Sequence, residues 1–311
     1  MVWALRAAVR AVPPAVTAVP PAVTAVPPAV TAVPPAVTAV PLAVTAVPPA
    51  VRAVGAGVGG RSRRAAATVD PMDLAEALRT TGAVRAFTPD PVPDGVTARV
   101  LDTARFAPNG GNRQAWRVVV VKDPAVRRSL RDLYLPGWYE YLAMSGAGLT
   151  PWAPVTDREA EARAAVRAPE LAATSAAGPG GFAEHLDAVP VLLVVFADLR
   201  RLAAVDRDAP GYTMVGGASI YPFVWSILLA ARAEGLGGVL TTMVVRRESE
   251  VRRLLHAPPD LSVAAMVALG WPERRPTRLV RAPVNAFATV DRCDGPPVAA
   301  PTGVVGSERV G

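Results

Sequence analysis

The polar residues that could do chemistry stand in three short stretches of the chain, and none of them is a strong acid or base. Arg85 offers a guanidinium, which can hold a phosphate through paired hydrogen bonds. The stretch FAPNGGNRQAWRVVVV offers open backbone amides at Gly110 and Gly111 and the amide side chain of Asn112. Residues 240–242, Leu-Thr-Thr, add two hydroxyls. Such a set can bind an anion and a flat polar ring, but it supplies little acid–base chemistry.

Familiar catalytic arrangements are missing from the sequence. It contains no Cys–His pair of usable spacing, no G-x-S-x-G, no P-loop and no H-E-x-x-H. A site whose side chains bind a ligand without reacting with it often depends on a cofactor for its chemistry. Cys293 is the single cysteine, and the two histidines, His185 and His256, lie far apart, so we expect neither an internal disulfide nor a metal site. The expected compartment is a reducing cytoplasm.

The net charge of +7 is concentrated at the front of the chain. Residues 1–71 hold six arginines against a single acid, Asp70, so the remainder carries only +2. That remainder shows no basic stripe interleaved with aromatics, which argues against binding to nucleic acid.

The front of the chain is a repeat. Residues 11–52 are six copies of AVPPAVT with small variations. Proline in every copy excludes a coiled coil, and the composition favours an extended or disordered segment. No apolar run there approaches the roughly 20 residues that span a bilayer, so we expect no membrane anchor. GAGVGG at 55–60 matches a phosphate-binding pattern but lacks the flanking strand and helix, which indicates a linker.

The body alternates helical patterns with apolar runs, which predicts a mixed α/β or α+β sandwich. Asp73 and Asp94 are the expected caps of the first two helices, and 117–121 has the unbroken apolar character of a central strand buried on both faces. Residues 136–185, here called the excursion, are irregular and aromatic, as in loops that set substrate choice. The expected helices are 73–80, 94–107, 124–134, 156–167, 213–234 and 247–255, and the expected strands are 117–121, 189–197, 235–245 and 261–269.

Across residues 73–292 the chain resembles the nitroreductase-like, FMN-dependent oxidoreductases. The matching pieces stand in the family's order, and the most specific is ARFAPNGGNRQAWRVVVV at 104–121, where the family's usual form is P-S-x-x-N-x-Q-P-W. The others are TTGAVRAFTPDPVPD, VPVLLVVFA, ASIYPFVWSILLAARAEGLGGVLTTM and ALGWPERRPTRLVRAPV. The resemblance implies an α+β, three-layer sandwich with a central mixed sheet flanked by helices, preceded by the disordered Pro/Ala/Val repeat. It also implies an intertwined homodimer with FMN at the interface, touched by both chains.

The resemblance also implies which residues meet the cofactor, while Gln114 and Trp116 are expected to support the loop rather than touch the ring. By position, the phosphate or ribityl chain would contact Thr81, Ala83 and Arg85, together with Arg278 or Arg281 from the C-terminal arm. The edge of the ring would contact Pro108, Asn109, Gly110 and Asn112. The reactive nitrogen would lie near Leu240 and Thr241.

The chain departs from the family pattern in the first motif and in the loop. Thr81-Gly82-Ala83 replaces a frequent Arg-x-Ser, which removes one guanidinium and one hydroxyl from the expected phosphate site. Asn109 and Ala115 replace the usual Ser and Pro. We therefore expect either weaker binding of the phosphate or a greater dependence on the C-terminal arginines, while contacts from backbone amides are unaffected by these changes.

The activity implied is hydride transfer from NADH or NADPH through flavin N5 to a small oxidised acceptor such as a nitroaromatic or a quinone, with no catalytic side chain. Two alternatives stay open. One is a sister activity on the same scaffold: reductive dehalogenation, flavin breakdown or substrate dehydrogenation. The other is a flavin-binding protein without turnover.

The expected organisation is a disordered extension at 1–71, an FMN-binding domain at 72–292 and a flexible tail at 293–311. The working protein could lack the extension if translation starts at Met72.

Overall fold

A computed structural model describes residues 72–210, 213–276 and 279–301 of the 311-residue chain. The predicted repeat and linker at 1–71 lie outside the described residues. The helices are α1 (Leu74–Thr80), α2 (Asp94–Ala104), α3 (Pro124–Gly146), α4 (Arg158–Ala165), α5 (Ala168–Ala176), α6 (Tyr221–Ala233) and α7 (Glu248–Leu254). The strands are β1 (Trp116–Val121), β2 (Val191–Asp198), β3 (Gly237–Thr241) and β4 (Leu261–Gly270).

The four strands form one sheet in the order β1-β2-β4-β3, and every neighbouring pair is antiparallel. A parallel bridge between Ala83 and Gly238 adds the segment after α1 to the β3 edge. Alternate residues of a strand point to opposite faces, and β2 shows this clearly. Leu193 and Val195 pack with α2 and α6, whereas Leu192 and Val194 pack with α3 and α7. Helices therefore cover both faces, and the expected three-layer α+β sandwich is confirmed.

The expectation that 117–121 is a central strand is wrong, because β1 lies at the edge of the sheet. Both of its faces are packed, since Val118 joins the α6 side and Val121 the α3 side. Its outer backbone edge has no neighbouring strand among the described residues, and Val120 is 37% exposed. An unbroken apolar run indicates that both faces of a strand are buried, but it does not indicate whether the strand has one or two neighbouring strands in the sheet.

Several helix boundaries differ from those that the sequence predicted. Asp73 caps α1 by accepting a hydrogen bond from the Glu76 amide at 3.0 Å, as expected. Asp94 is the first residue of α2 rather than its cap. The helix expected at 124–134 runs on to Gly146, through Pro136 and into the excursion, where α5 was also not expected.

The segment Val215–Ala233 is the one described stretch whose length and apolar composition would suffice to cross a membrane. It begins with a 3-10 turn, Val215–Ser219, and continues as α6. Phe223, Val224 and Ile227 of α6 are buried against the sheet, as in the core helix of a folded domain.

The described part of the chain ends in a small hairpin. Thr289 pairs with Pro297, and the amide of Val290 donates to the Pro296 carbonyl at 2.9 Å. Cys293 lies exposed at its turn. The hairpin spans the boundary expected between domain and tail at 292/293.

Candidate functional site

The segment after α1 is held against β3 by a close backbone approach. The Val84 amide donates to the Gly238 carbonyl at 2.9 Å, beside the Ala83–Gly238 bridge. A Cβ at Gly237 would lie 2.8 Å from the Val84 side chain, so a glycine is needed there. This contact brings Arg85 to the same edge of the sheet as Thr241.

Thr241 is hydrogen-bonded to a buried tyrosine that the sequence did not indicate, Tyr134. Tyr134 of α3 is 2% exposed, and its hydroxyl lies 3.3 Å from the Thr241 hydroxyl in a hydrogen bond. Burial raises the pKa of Tyr134, while the Thr241 hydrogen bond and the Arg85 charge oppose that rise and Glu184 adds to it. Tyr134 occupies a core position of α3, and the sequence pattern does not distinguish it from a purely structural aromatic residue.

The turn that precedes β1 has an unusual backbone. Gly111, Asn112 and Gln114 have φ of 61°, 51° and 49°, in the left-handed region that only glycine adopts freely. The Asn109 side chain fixes the turn by accepting from the Gln114 amide at 2.8 Å, and the Gln114 side chain donates to Asn112 at 3.2 Å. Unusual backbone of this kind is commonest at ligand-binding sites.

The Gly110 amide is not open, contrary to our expectation. It donates to the Ser219 hydroxyl at 3.0 Å, and Ser219 is 5% exposed. A Cβ on Gly110 would lie 2.6 Å from the Ala203 Cβ, so this glycine serves a close contact inside the chain. Of the residues predicted to meet the ring edge, Pro108 and Asn112 are exposed, whereas Asn109 and Gly110 are half-buried.

The turn and the Tyr134–Thr241 pair lie on opposite faces of the sheet. Trp116, directly after the turn, stacks on Phe223 of α6 with ring centroids 4.5 Å apart. Tyr134 belongs to the α3 side. Leu240 packs its side chain on the α6 side, as expected for the strand neighbour of Thr241. One chain therefore brings the first motif and the end of β3 together, but not the turn.

The remaining predicted residues are placed less centrally. The Thr81 hydroxyl is buried and makes no hydrogen bond to any described residue. It borders a void of about 10 Å³ that Arg232 and Arg275 also line, which suits one water molecule rather than a phosphate. Arg281 is exposed and donates to its own neighbour, the Val280 carbonyl, at 2.7 Å. Arg278 lies outside the described residues.

The excursion forms a separate cleft of about 740 Å³ between α3, α4 and residues 152–156. Arg246 lines it, paired with Glu140 at 2.6 Å and stacked 4.5 Å from the centre of the Trp152 ring. Trp152 has φ of 55°, and its amide donates to Glu161 at 2.8 Å. The cleft has the size of a small-molecule site, and its wall combines fixed charges with apolar surface.

Glu184 links separate parts of the excursion through hydrogen bonds. Its carboxylate accepts hydrogen bonds from the hydroxyls of Tyr139 at 2.8 Å and Ser175 at 2.7 Å, and from the Gly181 amide at 2.7 Å. Partial burial alone would raise the pKa of Glu184, but the two hydroxyls and the backbone amides outweigh it and lower the pKa to about 2. The carboxylate therefore stays ionised and joins α3, α5 and the loop before β2.

Comparison with known proteins agrees with this architecture. The model of the Nitroreductase family matches residues 78–271. The chain is 29% identical over 206 residues to an NADH dehydrogenase of Thermus thermophilus, covering 66% of this chain and 90% of that protein. It is 30% identical over 200 residues to a 5,6-dimethylbenzimidazole synthase of Rhodobacter capsulatus, covering 64% and 84%.

Among solved structures, the fold is similar to a BluB-like flavoprotein from Clostridium difficile, with a TM-score of 0.51 and 21% identity, over 71% of this chain and all of that one. That likeness concerns the fold alone, whereas the family model spans well over half of the sequence. The resemblance inferred from the motifs is confirmed: the chain belongs to the nitroreductase family.

Proposed function

We propose that this protein is an FMN-dependent oxidoreductase that uses NADH or NADPH to reduce a small oxidised acceptor such as a nitroaromatic or a quinone. The observation that carries the proposal is the backbone contact of residues 83–84 with Gly238, which brings Arg85 and Thr241 to the same edge of the sheet. A guanidinium and a hydroxyl bind a polar, anionic ligand and do not exchange protons readily at neutral pH. The residues present therefore fit a flavin mononucleotide, which supplies hydride chemistry when bound.

Four of the predicted residues have a proposed role in binding. Arg85 would hold the phosphate or ribityl chain from the first motif, and Arg281 would close on the phosphate from the C-terminal arm. Thr241 would present its hydroxyl to the reacting edge of the ring, and Asn112 would present its amide. Their task is to bind and orient the flavin and to exclude water, because none of them is a strong acid or base.

We propose a homodimer in which each flavin contacts both chains. Within one chain the sheet separates Asn112 from Thr241, so a single flavin could reach both only if the turn came from a second copy. Large apolar side chains exposed on α1, α6 and the C-terminal segment support such a partner. They include Leu74 at 67%, Tyr221 at 43%, Trp225 at 38% and Phe287 at 73% exposed. For such a dimer we propose a cytoplasmic location.

A sister activity on the same scaffold is the second candidate, and the excursion favours it. The cleft beside Arg246 and Trp152 is large enough to hold a substrate. An enzyme that reduces acceptors without selecting among them needs no such cleft. A relative with 30% identity is named 5,6-dimethylbenzimidazole synthase, which is not a nitroreductase name. Turnover with nitroaromatics and quinones separates the two candidates.

The first experiment is spectroscopic. The purified full chain should be yellow or should bind added FMN, and NADH or NADPH under anaerobic conditions should bleach the flavin absorbance. Failure to bind FMN on reconstitution would contradict the proposal. Bound FMN that neither nicotinamide bleaches would favour the sister activity or a flavin-binding protein without turnover.

The second experiment locates the phosphate. We expect Arg85→Ala to weaken FMN retention at least about tenfold, since a charge-assisted contact contributes more than about 1.4 kcal/mol. Arg274→Ala removes an exposed arginine on the segment after β4 and is the matched control. Equal retention of FMN by the two variants, measured by fluorescence titration, would show that the phosphate is elsewhere.

A further inference from the structure

The cleft of the excursion is lined by two acids and two arginines, and the protein itself already engages both acids. The Glu140 carboxylate pairs with the Arg246 guanidinium at 2.6 Å, and the Glu161 carboxylate accepts a hydrogen bond from the Trp152 amide at 2.8 Å. Arg158, at the start of α4, is exposed and has no acidic partner among the described residues. A guanidinium has five N–H donors, so both arginines keep donors for a ligand. The lining is therefore suited to an anionic group.

Arg246 is held on two sides before any ligand binds. One side is the ion pair with Glu140, and the other is the ring of Trp152, whose centre lies 4.5 Å from the guanidinium carbon. A guanidinium that is already fixed loses little further freedom on binding, and its planar donors match a carboxylate through two parallel hydrogen bonds. Because Arg246 covers this face of Trp152, the face is not available to a cationic ligand.

The remainder of the lining is mostly apolar. It comprises Met144, Ala153, Pro154, Val155, Ala162 and Ala165. The volume of about 740 Å³ is within the range of small-molecule sites. A ligand that suits both parts of the cleft carries a negative charge at one end and an apolar body at the other.

We propose that the cleft binds an aromatic carboxylate, with its carboxylate group held by Arg246 and Arg158. That this ligand is the acceptor of the proposed reaction rests on the proposed function, in which acceptors are flat rings. Arg246 belongs to the 3-10 turn Met243–Arg247, which begins two residues after Thr241. The anchor for the carboxylate is therefore only five residues along the chain from the residue proposed to meet the flavin ring. The carboxylate serves for binding alone and gains or loses no proton.

The test compares two ligands of nearly the same shape by calorimetric titration of the full chain. 4-Nitrobenzoate carries the carboxylate, and 4-nitrobenzamide carries a neutral amide in its place. The unaltered protein should bind 4-nitrobenzoate at least about tenfold more tightly, because hydrogen bonds to an ionised group are much stronger than those to a neutral one. Arg246→Gln should reduce this preference to about twofold or less. Arg158→Gln should reduce it by about threefold, since Arg158 is exposed.

Arg163→Gln is the matched control on the same helix as Arg158. Arg163 does not line the cleft and pairs with the exposed Glu159 at 3.7 Å, so the preference should not change. Equal affinity of the unaltered protein for the two compounds, or binding of neither, would overturn the inference. A full preference retained in Arg246→Gln would also overturn it. If that variant does not fold, an unchanged preference in Arg158→Gln overturns it.

Turnover distinguishes failure of this inference from failure of the proposed function. The flavin-loaded protein is supplied with NADH or NADPH, and the reduction of both compounds is followed. A protein that prefers 4-nitrobenzoate through Arg246 but reduces neither compound would contradict the proposed function and support the binding site. Reduction of both compounds with no preference in binding would support the proposed function and overturn the inference.

Discussion

The residues of the candidate site are of two kinds: those proposed to bind a ligand and those that stabilise the surrounding structure. Arg85, Thr241 and Asn112 are the proposed residues of the first kind, and the sequence motifs suggested all three. Tyr134, Ser219 and Glu184 belong to the second kind and were not predicted. Each of them has a hydrogen-bond partner 45 to 109 residues away in the chain, for example Ser219 with Gly110. A motif records which residues face a ligand, whereas supporting contacts depend on the fold.

Glu184 gives a prediction for acid stability. Its pKa is about 2 in the folded protein against an ordinary value of 4.5, so its stabilisation is complete above about pH 4.5 and is lost as the pH falls towards 2. We expect Glu184→Gln to be about 1 kcal/mol less stable at pH 7, because a neutral acceptor binds hydroxyls more weakly and the site is partly exposed.

The difference between Glu184→Gln and the unaltered protein should shrink below pH 4, as measured by urea unfolding across pH. Glu170→Gln is the control, because Glu170 makes only an exposed contact with Arg167 at 3.3 Å. A Glu184→Gln stability deficit that stays constant from pH 7 to pH 2.5 would contradict the assignment.

At the scale of elements, the sequence predicted which helices and strands exist better than where they end. All four strands and six of the seven helices were expected. The expected end of α3 near residue 134 was wrong, since the helix runs on to Gly146 through Pro136, although proline usually breaks a helix. The helix continues because Tyr134, Gly137 and Met144 are buried on its inner face. Proline position was visible in the sequence, but the packing that outweighs it was not.

The turn before β1 depends on a glycine that packs against its own chain. We expect Gly110→Ala to destabilise the protein by about 1–3 kcal/mol, since the new methyl group would overlap Ala203. Gly95→Ala is the matched change inside α2, where a Cβ meets only the Arg99 guanidinium at 3.8 Å. It should stabilise the helix by about 0.5–1 kcal/mol. Thermal melts of both variants compare the two; equal changes would show that Gly110 is not a close-packed position.

At the scale of the whole molecule, the proposed dimer predicts complementation between two defective chains. Arg85→Ala damages the first-motif side, and Gly111→Val damages the turn, because a β-branched residue is disfavoured at φ of 61°. At FMN concentrations below their weakened affinity, neither variant alone should be loaded with FMN. After mixing, half of the dimers carry both chains and each of these has one intact site, so about a quarter of all sites should bind FMN.

The measurement is flavin absorbance per chain in the dimer fraction after the two variants are unfolded and refolded together. The unmixed variants, treated in the same way, are the controls. No recovery of FMN binding would show that one chain supplies the entire site. The sequence alone could not predict this division, because the motif order is the same whether the residues meet within a chain or between chains.

The hairpin at the C-terminal end adds a practical consequence. Cys293 is the single thiol of the chain and is exposed at the turn between Thr289 and Pro297. A maleimide dye would therefore attach at one defined position per subunit, with no engineered cysteine and no competing thiol. Donor-labelled and acceptor-labelled preparations can then report by energy transfer how fast subunits exchange, and whether added flavin slows that exchange.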